Sequence, residues 1–107
     1  MPTSMLILIP EEWSRIPEDV EILMTHTPAL GILDETRRGI EAGCQELRER
    51  LEILHSCRLH VFGHIHEAYG AQIRDRVLGD TALEVVSVNA ALPDSEQAII
   101  VDLKKGT

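Results

Sequence analysis

Two short apolar runs with an amphipathic stretch between them restrict the fold of this chain more than any other feature. Residues 20–25 (Val-Glu-Ile-Leu-Met-Thr) are few, β-prone at the start and apolar enough for a buried strand. Residues 58–63 (Arg-Leu-His-Val-Phe-Gly) read the same way. Between them, over about 40–55, the period changes. Leu47, Leu51 and Leu54 recur at spacings of four and three, while Arg48, Glu49, Arg50 and Glu52 fill the other faces. That is the pattern of a helix with one apolar stripe. Strand, helix and strand make a βαβ unit, whose crossover is right-handed in nearly every case and whose strands lie parallel in one sheet.

The flanking segments are shorter. Pro10 followed by Glu11 and Glu12 predicts a helical turn over 10–16, which Pro17 ends. Pro28 disfavours helix before it, so 26–31 reads as a loop. Strands are expected at 83–88 and 98–103, separated by the turn residues Pro93-Asp94-Ser95. A weaker strand covers 70–74, with Gly79-Asp80 as the turn after it. The expected class is α/β: one βαβ unit followed by mainly antiparallel strands.

Composition narrows the functions. Hydrophobic residues at 44% suffice for a core, and aromatics at 3% make that core aliphatic. A formal charge of −8 offers no basic stripe to neutralise phosphates, which argues against nucleic acid and anionic membrane as partners. A small phosphate ester stays open, because a bound metal ion can dominate the local charge. Cys44 and Cys57 lack CxxC spacing and read as packed, reduced thiols. The apolar run Met5-Leu6-Ile7-Leu8-Ile9 has no basic flank and stops at Pro10, too short for a signal or a membrane span, so a soluble cytoplasmic chain is expected.

The histidines carry the chemistry. Parallel strands point their carboxyl ends to one sheet edge, where open α/β sheets place their ligands. His26 follows the first strand of the unit, and His64 and His66 follow the second. Taken alone, a histidine after a strand is more often structural than a ligand, and an HxH pair is only moderately specific. Their convergence at one edge is what favours a metal, since imidazole nitrogen binds zinc and related ions at about 2.0–2.1 Å. Gly63 is expected to give the sharp backbone turn into the loop. His55, at a helix end, reads as a cap for the terminal carbonyls. His60, inside a strand, reads as a packed, hydrogen-bonded residue that could support a ligand from behind. A cupin-like HxH module fits poorly, because Glu67 is adjacent to the pair and the 40–55 helix does not suit an all-β barrel.

The stretch Ile22-Leu23-Met24-Thr25-His26-Thr27-Pro28 resembles the penultimate histidine motif of calcineurin-like metallophosphoesterases, and residues 58–67, with Gly63-His64-Ile65-His66-Glu67, resemble their final GHxH motif. Together with Gly31-Ile32-Leu33-Asp34, Gly43-Cys44 and Val88-Asn89-Ala90, the wording is similar to the metallophosphoesterase-domain proteins related to class III cyclic-nucleotide phosphodiesterases. The resemblance runs from Trp13 to Leu103, leaving 1–12 as a non-matching segment and 104–107 as a tail. It implies the carboxyl-terminal half of an α/β/β/α sandwich. It also implies His26 and His64 on one divalent ion and His66 on another, with Gly63, Glu67 and Asn89 as loop support. The metals would be Mn, Zn or Fe: two in the complete family, one or none here. The family's DxH and GNHD or GNHE patterns do not occur in this chain, and its only Gly-Asp pair, Gly79-Asp80, follows the GHIH run and reads as a turn rather than as GDxx, so its catalytic residue is unknown. Two functions are therefore expected: hydrolysis of a phosphate mono- or diester, or an inactive interaction half-domain. The second predicts self-association or pairing with a complementing amino-terminal half.

Overall fold

The computed structural model of the chain describes residues 5–8, 13–78, 81–91, 101 and 103. Its strands are β1 (Met5–Leu8), β2 (Ile22–Thr25), β3 (Leu59–Phe62), β4 (Gly70–Leu78) and β5 (Thr81–Asn89), and one helix, α1 (Gln45–Ile53), crosses between β2 and β3. They form one sheet in the order β1-β2-β3-β5-β4. The expected parallel pair is present, with Leu23 opposite His60.

Alternation along β2 and β3 buries Leu23, Thr25, His60 and Phe62 and leaves their neighbours half-buried. Leu23 and Phe62 join Leu47, Leu51 and Leu54 of the helical stripe, with Trp13, Ile16 and Val20, in one core. Each fully buried Leu or Phe stabilises the fold by about 1.5–3 kcal/mol, so this aliphatic contact holds the helix to the sheet. Trp13 sits in a 3-10 turn (Trp13–Arg15), inside the turn expected over 10–16. No helix among the described residues is long and apolar enough to cross a membrane.

Three expectations are corrected. First, the helix starts at Gln45 rather than near residue 40. Residues ahead of it are committed to bridges, Glu35 with Glu41 and Ala29 with Cys44. Cys44 N–H donates to the Pro28 carbonyl at 2.8 Å and its carbonyl accepts from Leu30 N–H at 3.1 Å. Its backbone stays extended (φ −88°, ψ 122°) and caps the helix from outside. Its thiol accepts from the Trp13 indole at 3.3 Å, and both cysteines are free.

Second, the described strands after the βαβ unit are not all antiparallel. β4 and β5 form an antiparallel hairpin, but β5 lies parallel to β3. The hairpin returns the chain in the direction of β3, and apolar β5 (Val85, Val86, Val88) takes the interior place. β4, with Arg74, Asp75 and Arg76, takes the edge, where charge blunts further pairing. β1, which lies in the segment that matched no motif, pairs in parallel with β2. Third, His55 does not cap α1. It is exposed, and its Nδ1 lies 2.9 Å from Ser56 Oγ. The terminal carbonyls of Leu51 and Leu54 instead accept from the buried Arg76 guanidinium of β4. The turns expected at 79–80 and 93–95 lie outside the described residues, as does the strand expected at 98–103 apart from residues 101 and 103.

Candidate metal centre

β2 and β3 end side by side, and their ends are tied by Gly63 N–H donating to the His26 carbonyl at 3.2 Å. His26 directly follows β2, and His64 follows β3 by one residue beyond Gly63. Their rings face each other with centroids 5.0 Å apart and planes 53° from parallel. Both side chains are exposed, so a ligand reaches them without opening the core. The backbone strain falls at His64 rather than at Gly63. His64 has φ +74°, a left-handed conformation rare for a residue with a Cβ, while Gly63 is not in that region. Such a conformation persists only where its surroundings hold it. Here Ile65 is buried and its N–H donates to the Gly63 carbonyl at 2.9 Å.

His66 opens the 3-10 turn His66–Ala68 and is exposed. Among the described residues no group of three or more His, Cys, Asp or Glu stands close enough to hold an ion. The structure thus brings His26 and His64 together and does not gather His66 with them. Two exposed imidazoles are a partial donor set, with the chemistry of a borderline divalent ion that keeps other positions for water or ligand oxygen.

The loops around the pair are held by side chains. Asn89 is fully buried; its amide donates to the Leu33 carbonyl at 3.0 Å and the Ile65 carbonyl at 2.9 Å, and its Oδ1 accepts from Ala91 N–H at 2.9 Å. It therefore latches the GHIH loop to the 31–34 turn. Glu67 Oε2 accepts from Arg37 N–H at 3.3 Å. Hydrogen bonds from its own backbone N–H and from that of Arg37 hold its carboxyl below the usual range.

Asp34, the last residue of the Gly31-Ile32-Leu33-Asp34 run, has a role that the sequence alone does not assign. It is buried, and its Oδ2 accepts from Gly31 N–H at 2.9 Å and Gly43 N–H at 2.8 Å. A Cβ on Gly43 would stand 2.5 Å from the Ala29 carbonyl, so only glycine allows that approach. The one signal is an aspartate in a loop, three residues after Gly31 and nine before Gly43.

Behind the edge lies a buried polar cluster. His60 Nε2 is 2.9 Å from Thr25 Oγ1, and that hydroxyl donates to the Thr27 carbonyl at 2.8 Å. Burial pushes the His60 imidazole down to about 3, and the Arg74 charge adds to the shift. A groove of about 610 Å³ between the Trp13 turn and α1, lined by Trp13, Glu46, Arg50 and Ile53 among others, contains no histidine.

With that geometry in place, comparison with known proteins is informative. No family model matches the chain. Over 61 residues, 56% of its length, it is 51% identical to metallophosphoesterase domain-containing protein 1 of Homo sapiens, and equally to that of Mus musculus. Over 87 residues, 78% of its length, it is 38% identical to a UPF0046 protein of Caenorhabditis elegans. The matched region spans 19% of the first two relatives and 28% of the third. These relatives support the metallophosphoesterase family, a class of divalent-metal hydrolases.

Proposed function

We propose that the chain is part of a metallophosphoesterase and that His26 and His64 hold one divalent ion of its phosphate-ester-hydrolysing centre, with His66 directed to a second. The observation that carries this reading is the pair of imidazoles facing each other across 5.0 Å at the end of two parallel strands. A divalent ion there would draw in phosphate oxygens and lower the pKa of water near neutrality. The chain's own part is to aim the two rings from anchored loops and to leave them open to an ester substrate. The finer features belong to the same proposal: a relation to class III cyclic-nucleotide phosphodiesterases, a carboxyl-terminal place in a two-sheet sandwich, and a cytoplasmic setting.

The test uses the chain with Mn²⁺ or Zn²⁺, calorimetric titration of the metal and an aryl phosphodiester assay. His64→Ala is expected to weaken metal binding and metal-dependent turnover by ~100-fold or more, beyond the 10–100-fold typical of residues behind a ligand. His55→Ala, away from the pair, is expected to leave both unchanged. Turnover that ignores His64→Ala, or that needs no metal, would overturn the reading.

A second reading, an interaction module, is favoured by the other face of the sheet. Ile73 and Val77 of edge strand β4 are 63% and 66% exposed. They flank Asp75, which stands opposite Glu84. We propose that this face pairs with a second copy of the chain. Sedimentation at rising concentration is expected to show dimers that Ile73→Lys abolishes. A monomer at all concentrations would exclude this pairing.

A further inference from the structure

His60 is 0% exposed in the middle of β3, and its hydrogen bonding is directional. The Thr25 hydroxyl has one proton, and the Thr27 carbonyl can only accept, so that proton goes to Thr27. Oγ1 must then accept from His60, which places the imidazole proton on Nε2. Among the described residues, Nδ1 is left as a bare lone pair, buried and without a hydrogen-bond partner. Ser87, the register partner of His60 on β5, has a buried hydroxyl that is likewise unpartnered. The unsatisfied Nδ1 is a cost that an apolar residue at position 60 would avoid. What the imidazole provides in return is its single directed bond. The ring is steadied by Phe62, whose centroid lies 4.7 Å away.

That bond reaches the site. The Thr25 hydroxyl holds the carbonyl of Thr27, and Gly63 N–H holds the carbonyl of His26 between them. We propose that His60 is a positioning residue for His26, acting through the Thr25 hydroxyl on the loop that presents that imidazole to His64. The proposal deepens the metal-site reading and rests on it for its function, while the positioning itself is measurable without metal. The cluster fixes the direction of the loop before any ion arrives, so binding does not have to order it.

Four variants of the full chain separate positioning from mere packing. Thr25→Val removes the hydroxyl and Thr25→Ser keeps it. His60→Asn places its amide near the position of Nδ1, whereas His60→Gln places it near Nε2 and can still donate to Oγ1. Two readouts are used: amide exchange of Gly63 N–H relative to the amides of α1 in metal-free protein, and Co²⁺ affinity with its visible spectrum. Thr25→Val and His60→Asn are expected to speed Gly63 exchange about tenfold relative to α1 and to weaken Co²⁺ binding about 10–100-fold, while Thr25→Ser and His60→Gln stay within about threefold of the parent. If Thr25→Val fails to fold, the contrast between His60→Asn and His60→Gln carries the test. Gly63 exchange unchanged in the first pair, or equal losses at Gly63 and α1 in all four variants, would overturn the proposal. A parent that binds no Co²⁺ while Gly63 exchange follows the expected pattern would sink the metal reading and leave the positioning role standing.

Discussion

Acidification from about pH 7.5 to about pH 5 is expected to cost the fold roughly 2 kcal/mol through His60 alone. The imidazole is completely buried and held neutral, with its pKa lowered from 6.5 to about 3. In the unfolded chain it takes up a proton near its ordinary value, whereas in the folded chain it resists until much lower pH. Between those limits the unfolded state binds more protons, so stability rises with pH. The contribution is fully present above the unfolded pKa of 6.5 and is lost progressively as the pH falls toward 3. The slope approaches ~1.4 kcal/mol per pH unit. Glu52 acts in the same direction but later. Its carboxyl is lowered below 4.5 by bonds from Arg48 and Arg74, which outweigh its partial burial. Working above about pH 5 therefore isolates the histidine. Urea unfolding across this range should show the midpoint falling in the parent and holding nearly level in His60→Gln. The same slope in both would mean that another group drives the loss.

Arg76→Met is expected to destabilise the protein by about 3 kcal/mol. Arg76 lies on β4 at 5% exposure, with its guanidinium donating to the carbonyls of Leu51 and Leu54. These carbonyls end α1: the Leu51 carbonyl accepts only a long bond within the helix, from Leu54 N–H at 3.4 Å, and the Leu54 carbonyl lies past the last turn. Two effects oppose each other. Burying a guanidinium costs desolvation, which also lowers its pKa, and methionine would remove that cost. Methionine would equally leave the Leu54 carbonyl unsatisfied, at about 1–3 kcal/mol, and the Leu51 carbonyl with only the long bond from Leu54 N–H, at the negative end of a helix dipole. The second effect is taken as the larger because the nearby Glu52 charge offsets part of the desolvation, whereas nothing replaces the two bonds to the carbonyls. Methionine keeps the aliphatic bulk, so the loss measures polar contact and not a cavity. In a chain of this size the melting temperature should drop by about 10–20 °C, read from helical circular dichroism. A loss below about 1 kcal/mol would show that water reaches those carbonyls when Arg76 is gone.

These residues show how far the sequence could be read. The strands at 22–25 and 59–62 and the stripe of Leu47, Leu51 and Leu54 were legible, because each is a local period set by a single element. So was the arrival of His26 and His64 at one edge, since two parallel strands with a crossover leave few alternatives. The helix start is not legible in the sequence, because residues before Gln45 resemble helix locally but spend their backbone bonds on Pro28, Leu30 and Asp34. His55 was chosen as the helix cap for its place in the chain. Arg76, 22 residues beyond Leu54, holds the cap because the hairpin folds back beneath the helix.

The candidate site divides in the same way. The sequence by itself determined the histidines of the GHIH and THTP segments, the crossover that carries them to one edge, and the aliphatic core beneath. Those features follow from residue type and short-range period, which each segment contains within itself. Only the tertiary structure decided that His64 takes the left-handed turn, that Asn89 latches its loop, that Asp34 clamps Gly31 to Gly43, and that His60 reaches the His26 loop through Thr25. Each of these is a hydrogen bond or strain set by the meeting of distant segments. Its partner is chosen by sheet order and register, and no local pattern encodes that choice.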